Sequence, residues 1–149
     1  MDELISLFNE NRIRYLLIGG QAVRLEGMPR FSMDWDFYIP PRDLDNIQKI
    51  NRLLEGELDL SLLPLGERGE NFVQTYQTRW GIVQFHLAGP GLPKFDEAEA
   101  RSVIHETENH TPVRCLCRND LLESKRKAAR PQDTLDIVFL ENKKETDHL

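Results

Sequence analysis

A chain of 149 residues with 40% apolar and 30% charged side chains has the ordinary balance of a globular domain and is long enough to bury one real core. Its formal charge of −6 excludes a global basic field that would draw it to nucleic acid, leaving at most a local patch for that role. No apolar run approaches the roughly 18 residues of a membrane span, and Cys115 and Cys117 make neither a disulfide framework nor a four-ligand zinc set.

The opening MDELISLFNE is acidic and amphipathic, which is wrong for a signal peptide, so the expectation is a reduced, cytoplasmic protein with one domain over residues 1–149. Within DELISLFNENR, Leu4, Ile5, Leu7 and Phe8 form a helical stripe. IRYLLI reads as a short strand ending at Gly19-Gly20, and AVRLEGM as a short helix broken by Gly27 and Pro29. SMDWDFYI is the next expected strand, closed by Pro40-Pro41. RDLDNIQKINRLLEGEL carries Leu44, Ile47, Ile50 and Leu54 at helical spacing. NFVQTYQT and IVQFHLA read as strands joined tightly at Arg79-Trp80-Gly81. FDEAEARSVIHETE is expected to be helical and TPVRCLCR a strand. Two helices, DLLESKRKAAR and DTLDIVFLENKK, follow on either side of Pro131. Helices and strands alternate without a regular βαβ rhythm, which points to an α+β domain with a mixed sheet flanked by helices.

Asp34 and Asp36 stand out. In a strand they share a face about 6–7 Å apart, with Met33, Trp35 and Phe37 turned to a core. Two like charges at that separation repel by roughly 2–3 kcal/mol at an effective dielectric near 20. A hard divalent cation, Mg²⁺ or Mn²⁺, removes that cost. An isolated Asp-x-Asp would more often be the wet face of an edge strand, and Gly19-Gly20 alone a plain tight turn. Together they place a phosphate cradle beside a metal pair, the parts that phosphoryl transfer needs.

Gly19-Gly20, thirteen residues and then Asp34-Trp35-Asp36 resemble the signature of the DNA polymerase β-like nucleotidyltransferase superfamily. RFSMDWD, with Arg30, Ser32, Asp34 and Asp36, is similar to the form found in the minimal and toxin-type bacterial branches. DLLESKRKAARPQDTLDIVFL agrees through Asp120, Lys125, Arg130, Asp133 and Asp136. The resemblance spans roughly residues 13 to 140. It implies that Asp34 and Asp36 bind metal and act in catalysis, and that Gly19, Gly20, Ser32 and Lys125 meet a nucleoside triphosphate. A hydroxyl would attack the α-phosphate, transferring a nucleoside monophosphate and releasing pyrophosphate.

One position departs from that pattern. The family's third carboxylate, on a later strand, falls on Gln84, with His86 on the same face. Glutamine binds a hard cation weakly and takes no proton, whereas a histidine can. The departure leaves three readings open: a working enzyme with an unusual base, a degenerate nucleotide binder, and a toxin–antitoxin-type interaction protein. A partner protein or a second subunit completing the site also stays open. Arg24 and Arg30 flank the glycine turn and can face phosphate. Arg130 serves equally well as an ion-pair partner for Asp133 or Asp136, and Arg126 and Lys127 are expected in solvent. Trp80 is the better candidate for an exposed aromatic, though it can equally cap the sheet. His105, His110 and His148 show no metal-ligand spacing.

Overall fold

The computed structural model describes residues 1–146, with side chains through residue 142. Helix α1 (Asp2–Glu10) leads into β1 (Leu16–Ile18), α2 (Gly19–Leu25), β2 (Trp35–Tyr38) and α3 (Leu44–Leu53). The hairpin β3 (Val73–Thr78) and β4 (Gly81–His86) follows, then α4 (Phe95–Ala100), β5 (Val103–Glu106) and β6 (Pro112–Cys115). Helices α5 (Arg118–Ala128) and α6 (Thr134–Thr146) close the chain, joined through a 3-10 turn over Pro131–Asp133. The strands make one mixed sheet of six in the order β3-β4-β2-β1-β6-β5. Strand β2 runs antiparallel to β1 and parallel to β4, and β1 runs parallel to β6. This is the expected α+β architecture. Among the described residues no helix is long and apolar enough to cross a membrane.

The pleat of β2 divides its surroundings. Phe37 is fully buried, and its ring meets Phe8 of α1 at 5.6 Å, Tyr15 at 5.7 Å and Phe85 of β4 at 6.1 Å. These separations are those of favourable aromatic pairs, so the cluster locks α1 onto the centre of the sheet. On the opposite face Tyr38 packs against Phe95 of α4 at 5.2 Å and donates its hydroxyl to the Pro93 carbonyl at 2.7 Å. The tight connection between β3 and β4 depends on Gly81, whose φ of +113° is open to glycine alone without strain. Trp80 beside it is half-buried against the core, with the Arg79 guanidinium 4.7 Å from its ring centroid.

Three sequence expectations change. The aspartate strand begins at Trp35, so Asp34 ends a loop, and Met33 is 67% exposed and faces no core. The reason lies in the neighbouring strand: β1 turns into α2 at Gly19, and its last pairing is Ile18 with Asp36. Residues before Trp35 have no partner on the β1 side, and the pairing with β4 also begins only at Trp35 with Val83. The segment expected to be one helix from Phe95 stops at Ala100, and Val103–Glu106 forms the edge strand β5 on β6. Ser102 donates its hydroxyl to the Glu99 carbonyl at 2.6 Å and ends the helix, after which β-branched Val103 and Ile104 suit the sheet better. Leu44 is 57% exposed, and the buried face of α3 carries Asn46, Ile47 and Ile50 instead.

Asn46 is buried because its side chain replaces a strand neighbour. Its Oδ1 accepts from the Arg14 backbone N–H at 2.8 Å and its Nδ2 donates to the Arg14 carbonyl at 3.0 Å. Asn46→Ala strands both backbone groups and should cost about 2–4 kcal/mol of stability. Urea titration is expected to show a lowered midpoint at unchanged slope. A loss below about 0.5 kcal/mol would show that water replaces the amide freely.

Candidate functional site

The site forms where β1 ends. Ile18 pairs with Asp36, and Asp36 pairs with Gln84, so three strands bring their ends into one row. Gly19 has φ +71°, and a Cβ there would stand 2.5 Å from Asp36 Oδ2. A Cβ on Gly20 would stand 2.7 Å from Ser32 Oγ and 3.1 Å from the Arg30 guanidinium carbon. The glycine pair therefore does more than turn the chain: its bare backbone lets Asp36, Ser32 and Arg30 close around it. The loop that carries Ser32 is pinned from below, since buried Gln21 of α2 donates to the Ser32 carbonyl at 2.8 Å.

Asp36 is half-buried and accepts or shares a hydrogen bond with His86 Nε2 at 2.9 Å through Oδ1. His86 lies two residues beyond Gln84 on β4, and both line the same cleft as Asp34 and Asp36. Neither aspartate has a lysine or arginine partner within ion-pair distance among the described residues. The other two acids of the cleft are the opposite case. Asp133, 1% exposed, accepts from Lys125 Nζ at 3.1 Å and from both Arg130 Nε at 2.9 Å and Nη2 at 3.1 Å. Asp136, 2% exposed, meets Lys125 Nζ at 3.2 Å and Arg30 Nη1 at 2.5 Å. Lys125 is thus buried between two carboxylates, and Arg30 ties the loop before β2 to α6. Ala129, in the left-handed region at φ +50°, ends α5 and swings Arg130 back onto Asp133.

The charges follow this geometry. Burial by itself raises the Asp133 pKa, but hydrogen bonds from Arg130 and Lys125 outweigh it and hold the carboxyl below its ordinary 3.8. The Arg130 guanidinium is raised, chiefly by Asp133 and in smaller part by the charge of Asp36.

All the residues expected to act together do come together. Gly19, Gly20, Ser32, Asp34, Asp36, Gln84, His86 and Lys125 line one cleft of about 810 Å³. Arg30 and Arg130 line it too, while Arg24 turns away to Gln21 and Glu108. Arg126 and Lys127 lie in solvent, as expected. His105 bonds to Glu26 and His110 to Glu106, outside the cleft, and His148 lies beyond the described residues. Sequence reasoning missed the buried Lys125 bridge and the Asp36–His86 bond. The i, i+2 spacing of Gln84 and His86 was the available signal for the second. No spacing announced the first.

Among solved structures, the chain is similar to the lincomycin-bound crystal structure of the lincosamide antibiotic adenylyltransferase LnuA. The TM-score is 0.58 at 16% sequence identity, over 93% of this chain and 92% of that one. The shared property is the fold: a nucleotidyltransferase-like mixed sheet flanked by helices. No family model matches the chain, and no curated protein does.

Because the Asp133 pKa is depressed by folding, its contribution to stability is present above the ordinary carboxylate value and lost as pH falls through the folded value. Asp133→Asn leaves Lys125 and Arg130 without that acid and should cost about 3 kcal/mol at pH 7. Urea melts across pH should show the gap to wild type holding down to about pH 4 and closing below it. A gap independent of pH would assign the loss to packing.

Proposed function

We propose that this protein is a nucleotidyltransferase that moves a nucleoside monophosphate from a nucleoside triphosphate to a hydroxyl acceptor. One observation carries the reading: of the four cleft acids Asp34, Asp36, Asp133 and Asp136, only the two flanking Trp35 lack a lysine or arginine partner among the described residues. The donor set also tests the metal that the fold family implies. Among the described residues no group of three or more His, Cys, Asp and Glu side chains could hold an ion by itself. Mg²⁺ and Mn²⁺ are commonly held by one or two carboxylates together with substrate phosphates and water, so Asp34 and Asp36 fit such an ion arriving with a nucleotide. Bound there, the ion would supply charge neutralisation at the phosphates.

The chain's own groups divide the remaining work. The open backbone at Gly19 and Gly20 receives phosphate oxygens beside the Ser32 hydroxyl. Arg30, packed over Gly20, and Lys125 of α5 supply positive charge, restrained by Asp136 and Asp133. His86 holds Asp36 in place through Nε2. With Nε2 donating, a neutral His86 carries its lone pair on Nδ1, the atom to accept the acceptor's proton where other members use a third carboxylate. The lincosamide adenylyltransferase acts on a small molecule, and a small hydroxylated acceptor suits this cleft as well.

A second reading rests on Gln84, which pairs directly with Asp36 where a third acid is expected. On that reading the site no longer transfers anything, and the fold serves as an interaction scaffold, as in toxin–antitoxin partners.

Calorimetric titration of the four ribonucleoside triphosphates, with and without Mg²⁺, separates the two. Wild type should bind at least one of them only with metal, and Asp36→Asn should weaken that binding at least about 100-fold. Absence of triphosphate binding under any condition would sink the enzyme reading. With an accepted hydroxyl compound, pyrophosphate release should fall about 100-fold or more in His86→Gln while nucleotide affinity changes less than tenfold. An equal loss of affinity would make His86 a ligand-positioning residue only.

A further inference from the structure

The loop between α2 and β2 presents two sorts of side chain in alternation. Arg30, Ser32 and Asp34 are polar and serve the glycine turn, α6 and the acidic pair. Phe31 and Met33, between them, are 81% and 67% exposed, yet both line the cleft. Exposed large apolar side chains scattered singly need no explanation. Two of them on one short loop, inside the cleft that holds Gly19, Gly20, Asp34, Asp36 and Lys125, do.

The backbone beneath them is held. Gln21 bonds the Ser32 carbonyl, Arg30 is anchored to Asp136, and Ser32 Oγ contacts the Asp34 carbonyl at 3.4 Å. The loop backbone is thus anchored on both sides of Phe31, whose ring lies 81% exposed at the cleft. Pre-organised apolar surface of this kind lowers the cost of receiving a flat partner. Its position selects which partner. Phe31 sits one residue from Arg30 and from Ser32, the two groups packed over Gly20, so a molecule with phosphates at the glycine turn brings its attached ring within reach of the ledge.

We infer that Phe31 and Met33 form the nucleobase shelf of the cleft, on which the base of the incoming nucleoside triphosphate stacks. The inference rests on the nucleotide-binding reading above and extends it to the residues that hold the base. Stacking is tolerant of base identity because every base has a π-face. The shelf therefore secures affinity, with only modest preference among the four triphosphates.

The test compares ATP with inorganic tripolyphosphate, each with Mg²⁺, by calorimetry on wild type, Phe31→Ala, Phe31→Trp and Met33→Ala. Phe31→Ala should weaken ATP about tenfold or more and leave tripolyphosphate unchanged. Phe31→Trp should keep ATP affinity, and Met33→Ala should lose a smaller factor. Both side chains are exposed, so melting temperatures should match wild type. If wild type binds ATP and Phe31→Ala binds it equally well, the shelf is overturned while the nucleotide reading stands. A parallel loss for tripolyphosphate also overturns it, because the loop and not the ring then carries the effect. If wild type binds neither ligand, the nucleotide reading fails and the shelf fails with it.

Discussion

The pleat of β2 is the constraint on which the rest of this molecule turns. Phe37 is locked among Phe8, Tyr15 and Phe85, so the strand cannot rotate or slip by one residue without expelling it from the core. Asp36, its neighbour, is then held on the other face beside Gly19. The cost of placing a half-buried carboxylate there is met by global packing, with several aromatic pairs at stake against one unfavourable charge. Asp34, outside the strand, has no such lock. Its place depends on the loop anchors Gln21–Ser32 and Arg30–Asp136. The two aspartates look equivalent in sequence, but one is positioned by a sheet and the other by side-chain hydrogen bonds.

Charge organises the side of the cleft formed by α5 and α6, which Arg30 joins from the loop before β2. Three cations, Arg30, Lys125 and Arg130, share two nearly inaccessible acids, Asp133 and Asp136. Buried Lys125 has both carboxylates within ion-pair distance, Asp133 at 3.1 Å and Asp136 at 3.2 Å. The network carries a formal excess of one positive charge, fixed in space, facing a pair of carboxylates that carries two negative ones. A cleft with separated and opposed charge of this kind favours a ligand that is itself divided, with anionic groups toward one wall and a cation toward the other. Metal-bound triphosphate has that form.

Much of this was legible in the residue order. Strand β1 ending in Gly19-Gly20, the β3–β4 hairpin at Arg79-Trp80-Gly81 and the two last helices around Pro131 follow from local chemistry, because turns and breakers act over a few residues. What was not legible is long-range. Val103–Glu106 became a strand because β6 offered an edge, and no property of that segment announces its partner. Met33 lies outside the sheet because pairing to both neighbours starts no earlier than Trp35, a fact about the neighbouring strands. In the site, identities were readable and pairings were not. Lys125 was legible as a cation for the cleft, but the proximity of Asp133 and Asp136 arises from a left-handed Ala129 and a 3-10 turn that fold α6 back on α5.

Gln84, at the position where the sequence resemblance implies a third carboxylate, gains meaning from its register. Gln84 pairs with Asp36 across the parallel ladder, so an acid there would add a third negative charge beside the two already present. With glutamine in that place, the cluster needs one divalent ion's worth of charge for neutrality. His86 then bonds Asp36 through one oxygen and leaves the other over Gly19. An acid at 84 would be a second claimant for a cation, and the His86 hydrogen bond would compete with it for Asp36. The pair Gln84 and His86 is therefore a self-consistent alternative to a three-carboxylate site. On the nucleotidyltransferase reading proposed above, it would lower the demand for metal and leave the remaining proton chemistry to an imidazole.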